Sequence, residues 1–264
     1  MKPIATRVGW ADFGDYDHFG LRLYRDLAGN ITLAGLSVFS LTGRRLADED
    51  IAVLDDVAAC CHVTEPRVWP LKLARLGASS GRPITGYLAG LAVLDGDFIG
   101  TAAIEASART LVELRAVLER EDALVNATLK TKAIRRFVET YAEWPSVGVH
   151  KRRVDERVVG IRSCLARRGR SERPWWTLAE ELWPIMRELL GIDVSAFDAI
   201  GAACLDLGLL PKEIGALSAI LLQPQFLAHA FEGAMQRADE LRCLPSEAIR
   251  YVGPEPRKSS DRRR

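Results

Sequence analysis

No run of about eighteen uninterrupted apolar residues occurs in the 264-residue chain, which argues against a membrane span. The opening "MKPIATRVGW" has no apolar segment of the kind a secretory signal carries, so a cytoplasmic setting is expected. Charge of one sign is also missing. The 36 Lys and Arg face 35 Asp and Glu, a formal +1, so no global field draws the chain to nucleic acid or to an anionic membrane. Any anion site must be local. Cysteine is scarce and odd in number: Cys60, Cys61, Cys164, Cys204 and Cys243 lie mostly in apolar, helix-like contexts and read as reduced thiols rather than a disulfide framework. Cys60-Cys61-His62 could in principle hold a metal, but adjacent cysteines on a helix point about 100° apart. No second pair stands at ligand spacing, so no metal is expected. Alternating strand patterns are nearly absent.

Helical spacing is what the chain has in quantity, and with 48% hydrophobic residues it can bury a sizeable core. Ile104, Leu111, Leu114 and Leu118 form one buried stripe, and Ile134, Phe137, Val138 and Tyr141 another, with "EREDALVNATLKTK" as the junction between them. Turns are marked by "LTGRR", "GASSG", "LDGD" and "LARRGRSERP". Thr177 with Glu180 has capping-box spacing and predicts a helix start there. Pro211 suits a first helical turn ahead of the stripe Ile214, Leu217 and Leu221, and Pro224 predicts a kink or break near Gln223. Only "FGDYDHFGLRLYRDLAGNITL" suggests extended chain, a short hairpin before the first long helix. The ending "EPRKSSDRRR", residues 255–264, reads as a basic, mobile tail. The fold class is mainly α.

The stretch "EWPSVGVHKRRVDER", residues 143–157, gathers Pro145, Gly148, His150, the cations Lys151, Arg152 and Arg153, and the spaced pair Asp155 and Arg157. Such a segment is an anion-binding site, a solvated connector or a partner-binding surface. Other polar candidates have plainer readings. His18 sits beside Asp15 and Asp17 in what reads as an exposed turn, and His229 lies on an apolar helix as a core residue. Asp97 and Glu105 could act as bases if burial raised their pKa values. Trp175 and Trp176, near Arg170 and Arg173, could stack on an adenine but read first as core at a helix start. "RRGRSERP" is a solvated linker rather than a nucleic-acid element.

Several segments in order resemble the citrate synthase superfamily, most of all its short bacterial citryl-CoA lyase-like members. They are "DLAGNITLAGLSVFSLTGRRLADEDIAVLDDV", "LGASSGRPITGYLAGLAVLDGDFIG", the 143–157 stretch, "IDVSAFDAIGAACLDLGLLPKEIGALSAILLQPQFLAHAFEGA" and "YVGPEPR". The resemblance covers most of the chain. It implies a helical homodimer, each chain having a large domain (1–103 and 201–264), a smaller one (104–200) and a cleft between them.

The resemblance also implies chemistry on an acyl-CoA thioester, by Claisen-type condensation or citryl-CoA-type cleavage. That chemistry needs a carboxylate base, donors at two carbonyl oxygens and cations for a dicarboxylate. Aligned on the family's motifs, the first histidine position falls on Ile99 (or Phe98) and the second on Val149, with His150 next to it. The catalytic aspartate position falls on Phe197, with Asp198 next to it. Arg157 matches one family arginine, Leu222 replaces another, and a third falls near Ser246 with Arg250 nearby. Ordinary citrate synthase activity is therefore not expected. His150, Asp198 and Arg157 become the candidate donor, base and carboxylate anchor, while Gly148, Lys151, Arg152 and Arg153 become candidate contacts for the CoA phosphates. The alternatives are a catalytically inactive CoA-binding or partner-binding homologue, which could pair with a competent one, and a pocket turned to a non-CoA ligand.

Overall fold

A computed structural model describes residues 3–63, 65–96, 99–141, 155–236, 247, 250, 252 and 253. Of the predicted site residues, Gly148, His150, Lys151, Arg152 and Arg153 lie outside the described residues, as do Asp97, Phe98, Val149, Ser246 and the basic tail.

The chain begins with a small antiparallel sheet: β1 (Gly9–Asp12), β2 (Asp15–His18) and β3 (Leu21–Arg22), with Trp10 opposite Asp17 and His18 opposite Leu21. A π-helical turn, Leu23–Leu27, leads to α1 (Leu33–Thr42), whose first turn is capped by the Thr32 hydroxyl accepting from the Gly35 amide at 3.1 Å. His18 corrects the expectation of an exposed turn. Its Nδ1 lies 3.0 Å from the Val8 carbonyl and its Nε2 2.9 Å from Ser40 Oγ, and its ring meets Phe39 edge-on at 5.2 Å. The imidazole therefore clips the sheet onto α1 while staying part-exposed.

Among the described residues, ten further helices follow. They are α2 (Asp48–Cys60), α3 (Trp69–Ala78), α4 (Pro83–Leu94), α5 (Thr101–Arg120), α6 (Ala127–Thr140), α7 (Glu156–Arg167), α8 (Pro174–Leu190), α9 (Ala196–Asp206), α10 (Pro211–Leu221) and α11 (Gln223–Met235). A two-residue ladder, β4 (Asp95–Gly96) with β5 (Ile99–Gly100), turns the chain from α4 into α5. Gly100 stands there at φ 103°, the left-handed region that glycine enters at least cost. The predicted stripes are the core: Ile104, Leu111, Leu114 and Leu118 are buried, as are Ile134, Phe137 and Val138 on α6 and Ile214, Leu217 and Leu221 on α10.

Helices α3, α4 and α11 pack together, α5 lies against α9 and α10, α8 against α9, and α2 against α7. Gly90 on α4 makes the α11 contact possible, because a Cβ there would stand 2.6 Å from a ring carbon of Phe226. Among the described residues, one stretch, Pro211–Met235, is long and apolar enough to cross a membrane. It spans α10 and α11, and 56% of its window is buried inside the protein, as in a core helix pair. The two helices meet at Leu222, the break that Pro224 predicts, with Pro224 seated in the first turn of α11.

One helix start differs from the sequence reading. Helix α8 begins at Pro174, not at Thr177: proline fixes φ for the first helical position, and the Thr177 amide already donates to the Arg173 carbonyl at 2.9 Å. The positions 103/104 and 200/201, where domain limits are expected, lie within α5 and α9.

Candidate functional site

Several helix ends converge on one pocket with a cavity volume of about 60 Å³. The last residue of the α2 turn, Cys61, forms one wall with Val63. Val68, Pro70 and Leu71 at the start of α3 form a second, and Leu94 at the end of α4 a third. Arg157 from the first turn of α7, Ala196, Phe197 and Ile200 from α9, and Leu222, Gln225 and Phe226 from the α10–α11 junction complete it. Helix termini bring exposed amide and carbonyl groups, which is why such junctions so often hold ligands. Here the starts of α7 and α9 are capped by side chains, and the surface presented is mostly hydrocarbon.

Asp155 organises the polar edge. It is 5% exposed and caps α7 by accepting from the Arg157 amide at 3.0 Å. It also accepts from the Ala196 amide, at the start of α9, at 2.9 Å. The same carboxylate holds the Arg157 side chain in a two-pronged pair, Nε to Oδ1 at 2.9 Å and Nη2 to Oδ2 at 2.7 Å. One residue thus ties two helix starts together and aims a guanidinium, whose central carbon lies 6.0 Å from the centre of the Phe197 ring.

Burial pushes the Asp155 carboxyl up, but the Arg157 hydrogen bonds and charge, with the Ala196 and Arg157 amides, outweigh it and hold it below the ordinary aspartate value. Burial works against the Arg157 charge, and the Asp155 hydrogen bond and charge more than restore it. Two further polar side chains, Gln225 and Cys61, line the pocket. The Gln225 Oε1 accepts from the Val63 amide at 2.7 Å, and burial pushes the Cys61 thiol up to about 12.

The sequence candidates separate in this geometry. Arg157 lies in the pocket. Phe197 and Leu222, which stand where the resemblance expects the aspartate and an arginine, line the same pocket with it. Asp198 does not. Its Oδ2 accepts from the Ser195 amide at 2.9 Å and the Ser195 hydroxyl at 2.8 Å, and its Oδ1 accepts from the Ser107 hydroxyl at 2.7 Å. That is a capping box closed onto α5, and Asp198 borders a separate small cavity with Thr110, Leu182 and Met186. Burial pushes its carboxyl up, against the pull of the serine donors.

Other candidates resolve as structural. Glu105 pairs with Arg109 at 2.7 Å on α5. Trp176 is buried against Trp183, and the Arg115 guanidinium sits 4.7 Å over Trp175. His229 is buried on α11. Cys60 and Cys164 stand with their sulfurs 3.8 Å apart across α2 and α7. Among the described residues no three His, Cys, Asp or Glu side chains stand together as a metal ligand set.

Sequence reasoning paired Asp155 with Arg157 but missed the contact to α9. The "VDERVV" pattern, an aspartate directly before a helical run, signals the cap, and nothing local signals Ala196. Gln225, a polar residue between Pro224 and Phe226, carried a signal that went unused. Ser195 followed three residues later by Asp198 likewise marks a capping box.

No protein-family model matches the sequence, and no curated protein does so either. Solved structures do. Citryl-CoA lyase from Hydrogenobacter thermophilus superposes with a TM-score of 0.76 at 18% identity, over 97% of this chain and 97% of that one. ATP citrate lyase from Methanothrix soehngenii, in complex with citrate and coenzyme A, gives 0.71 at 16% identity, over 99% of this chain and 44% of that one. Citrate synthase from Thermoplasma acidophilum, in a ternary complex with carboxymethyl coenzyme A and oxaloacetate, gives 0.51 at 18% identity, over 87% of this chain and 59% of that one. All are proteins of the citrate synthase superfamily. At such identities likeness speaks for architecture, and this chain has the mainly α, citrate synthase-like fold.

Proposed function

We propose that the protein binds an acyl-CoA thioester and makes or breaks the carbon–carbon bond next to the thioester carbonyl, with catalytic residues altered from those of its fold relatives. One observation carries the reading. Arg157, Phe197 and Leu222, which the motif alignment places at functional positions, come from three separate helix ends and line one pocket. The citrate, coenzyme A and oxaloacetate named in the neighbours' complexes support a CoA-dependent substrate class.

In the condensing direction a proton leaves the carbon next to the thioester, and the enolate carbon adds to a carbonyl whose oxygen takes up a proton; cleavage is the reverse. His150 is the proposed donor and proton-handling residue. Arg157, expected as the carboxylate anchor, becomes the proposed hydrogen-bond donor to a substrate carbonyl oxygen, its charge matched by Asp155. Asp198, first considered as the base, already accepts three hydrogen bonds at a helix start, and its geometry supports a structural role. The Gly148 backbone and the cations Lys151, Arg152 and Arg153 are the proposed contacts for the CoA phosphates. A homodimer with two lobes per chain completes the proposal.

A second reading has its own support. The hydrocarbon side chains of Phe197 and Leu222 fit a scaffold that binds CoA, or pairs with a competent homologue, without turnover. Two measurements separate the readings. Thermal unfolding with CoA, acetyl-CoA and dephospho-CoA should show a concentration-dependent rise, smaller without the 3′-phosphate. Loss of the methyl protons of acetyl-CoA to deuterium in heavy water, followed by NMR, should occur with this protein and vanish in His150→Ala. Stabilisation without exchange supports the binding protein, and no stabilisation at millimolar ligand removes CoA from the reading.

A further inference from the structure

We infer that the pocket takes a short, uncharged hydrocarbon acyl group and rejects the di- and tricarboxylates named in the neighbours' complexes. The inference rests on the acyl-CoA reading and narrows it to a substrate class.

Most of the lining is hydrocarbon: Val68, Leu71, Leu94, Phe197, Leu222 and Phe226 present aliphatic and aromatic surface to the empty volume. Its cavity volume is about 60 Å³, which suits a short chain rather than a bulky ligand. Among the described lining residues Arg157 is the one cation, and it is already matched. Two of its donors are held by the Asp155 carboxylate, so the pair presents little net charge. A ligand carboxylate arriving beside it meets Asp155 as a like charge and must either displace a carboxylate that also caps two helices or enter unpaired. An unpaired carboxylate in apolar surroundings is strongly disfavoured. An alkyl chain needs none of these groups. It gains from every methylene removed from water, at about tenfold in affinity for two buried methylenes.

Calorimetric titration of the full chain with CoA, butyryl-CoA, isovaleryl-CoA and succinyl-CoA tests this. Butyryl-CoA and succinyl-CoA have the same number of acyl carbons and differ in a terminal carboxylate. Butyryl- and isovaleryl-CoA should bind at least about tenfold more tightly than CoA, and succinyl-CoA no more tightly than CoA. Leu222→Arg, which sets a second cation in the lining, should erase the butyryl gain and confer one on succinyl-CoA. Succinyl-CoA equal to or tighter than butyryl-CoA in the unaltered protein, or butyryl-CoA no tighter than CoA, overturns the inference while leaving CoA binding intact. If no CoA compound binds at millimolar concentration, the acyl-CoA reading fails separately. The pocket is then read by saturation-transfer NMR with 4-methylpentan-2-one against oxaloacetate. Transfer to the ketone alone, abolished when Leu222→Trp fills the space, sustains the apolar specificity; transfer to oxaloacetate, or to neither, overturns it.

Discussion

Phe197 and Asp198 are consecutive on α9, and they look into different chemistries. Phe197 faces the apolar pocket under the Arg157 guanidinium, while Asp198 faces Ser195 at the start of its own helix and Ser107 on α5. Consecutive helical residues diverge by about 100°. A one-residue slip therefore cannot carry the aspartate into the pocket without rotating the helix, which would break its cap and expose its buried face. The pocket side is open to change in its ligand, because hydrocarbon lining commits no partner. The cap side is not, because each of its polar atoms is spoken for.

Asp155 joins the two sides, so its loss should have the largest effect. Asp155→Ala strands the Ala196 and Arg157 amides and leaves a part-buried guanidinium without its counter-charge, a cost of about 4 kcal/mol. Denaturant unfolding measures it; a loss below about 1 kcal/mol would mean that the two helix starts are held independently. The pH dependence follows from the depressed Asp155 carboxyl. In the folded state it holds its proton less tightly than in the unfolded chain. Its contribution is therefore complete above the unfolded value near 3.8 and is lost as pH falls through the lower folded value. Acid unfolding of Asp155→Asn should be correspondingly shallower below pH 4. Asp198 works in the opposite sense: its raised carboxyl makes protonation favour the folded state as pH falls.

Asp198→Ala ranks next. It removes the acceptor for the Ser195 amide, the Ser195 hydroxyl and the Ser107 hydroxyl, at about 3 kcal/mol. If Asp198 only caps, acyl-CoA affinity at a temperature where the variant stays folded is unchanged. A selective loss of methyl-proton exchange, with stability intact, would return it to catalysis.

The same contrast explains what was legible in the sequence. Helix type and the buried stripes of α5, α6 and α10 are written in local spacing, as is the α10–α11 break at Leu222, because periodicity and proline act within a few residues. The true start of α8 was not. Its first amides, at Trp175 and Trp176, donate to the Asp206 carboxylate of α9 at 2.9 Å each, a cap supplied from another helix, which made Thr177 look like the boundary. His18 misled for a similar reason, since Val8 and Ser40 decide its role. At the site, motif order located Arg157, Phe197 and Leu222, yet their meeting in one pocket is a property of packing. Asp198 drew attention for its charge, while Ser195 three residues earlier held the information about its work.

A smaller effect is expected on the pocket side. Phe197 is half-buried, so Phe197→Ala should cost about 1–2 kcal/mol, less than either aspartate, because it removes packing but strands no polar group. It should also enlarge the pocket and shift acyl preference toward longer or branched chains in the same titrations. A stability loss matching that of Asp198→Ala would make Phe197 a core residue, and the contrast between neighbours would disappear.

The smallest effect is a rate at Cys61, which lines the pocket, set against Cys204, which lies in the core of α9. Burial pushes both thiols up to about 12, and Cys60, on the helix turn beside Cys61, to about 11. The thiolate is the reactive form, so at pH 7.5 even Cys60 should alkylate roughly 300-fold more slowly than a free cysteine. Iodoacetamide labelling of the folded protein, read by peptide mass spectrometry, should place Cys61 with Cys204 and not with an exposed thiol. Fast labelling at Cys61 that butyryl-CoA suppresses would show water reaching the pocket wall when no ligand fills it. The hydrocarbon lining would then be a surface that a ligand dries rather than one that excludes water by itself, and the gain in affinity per methylene should be larger than for a pocket already dry.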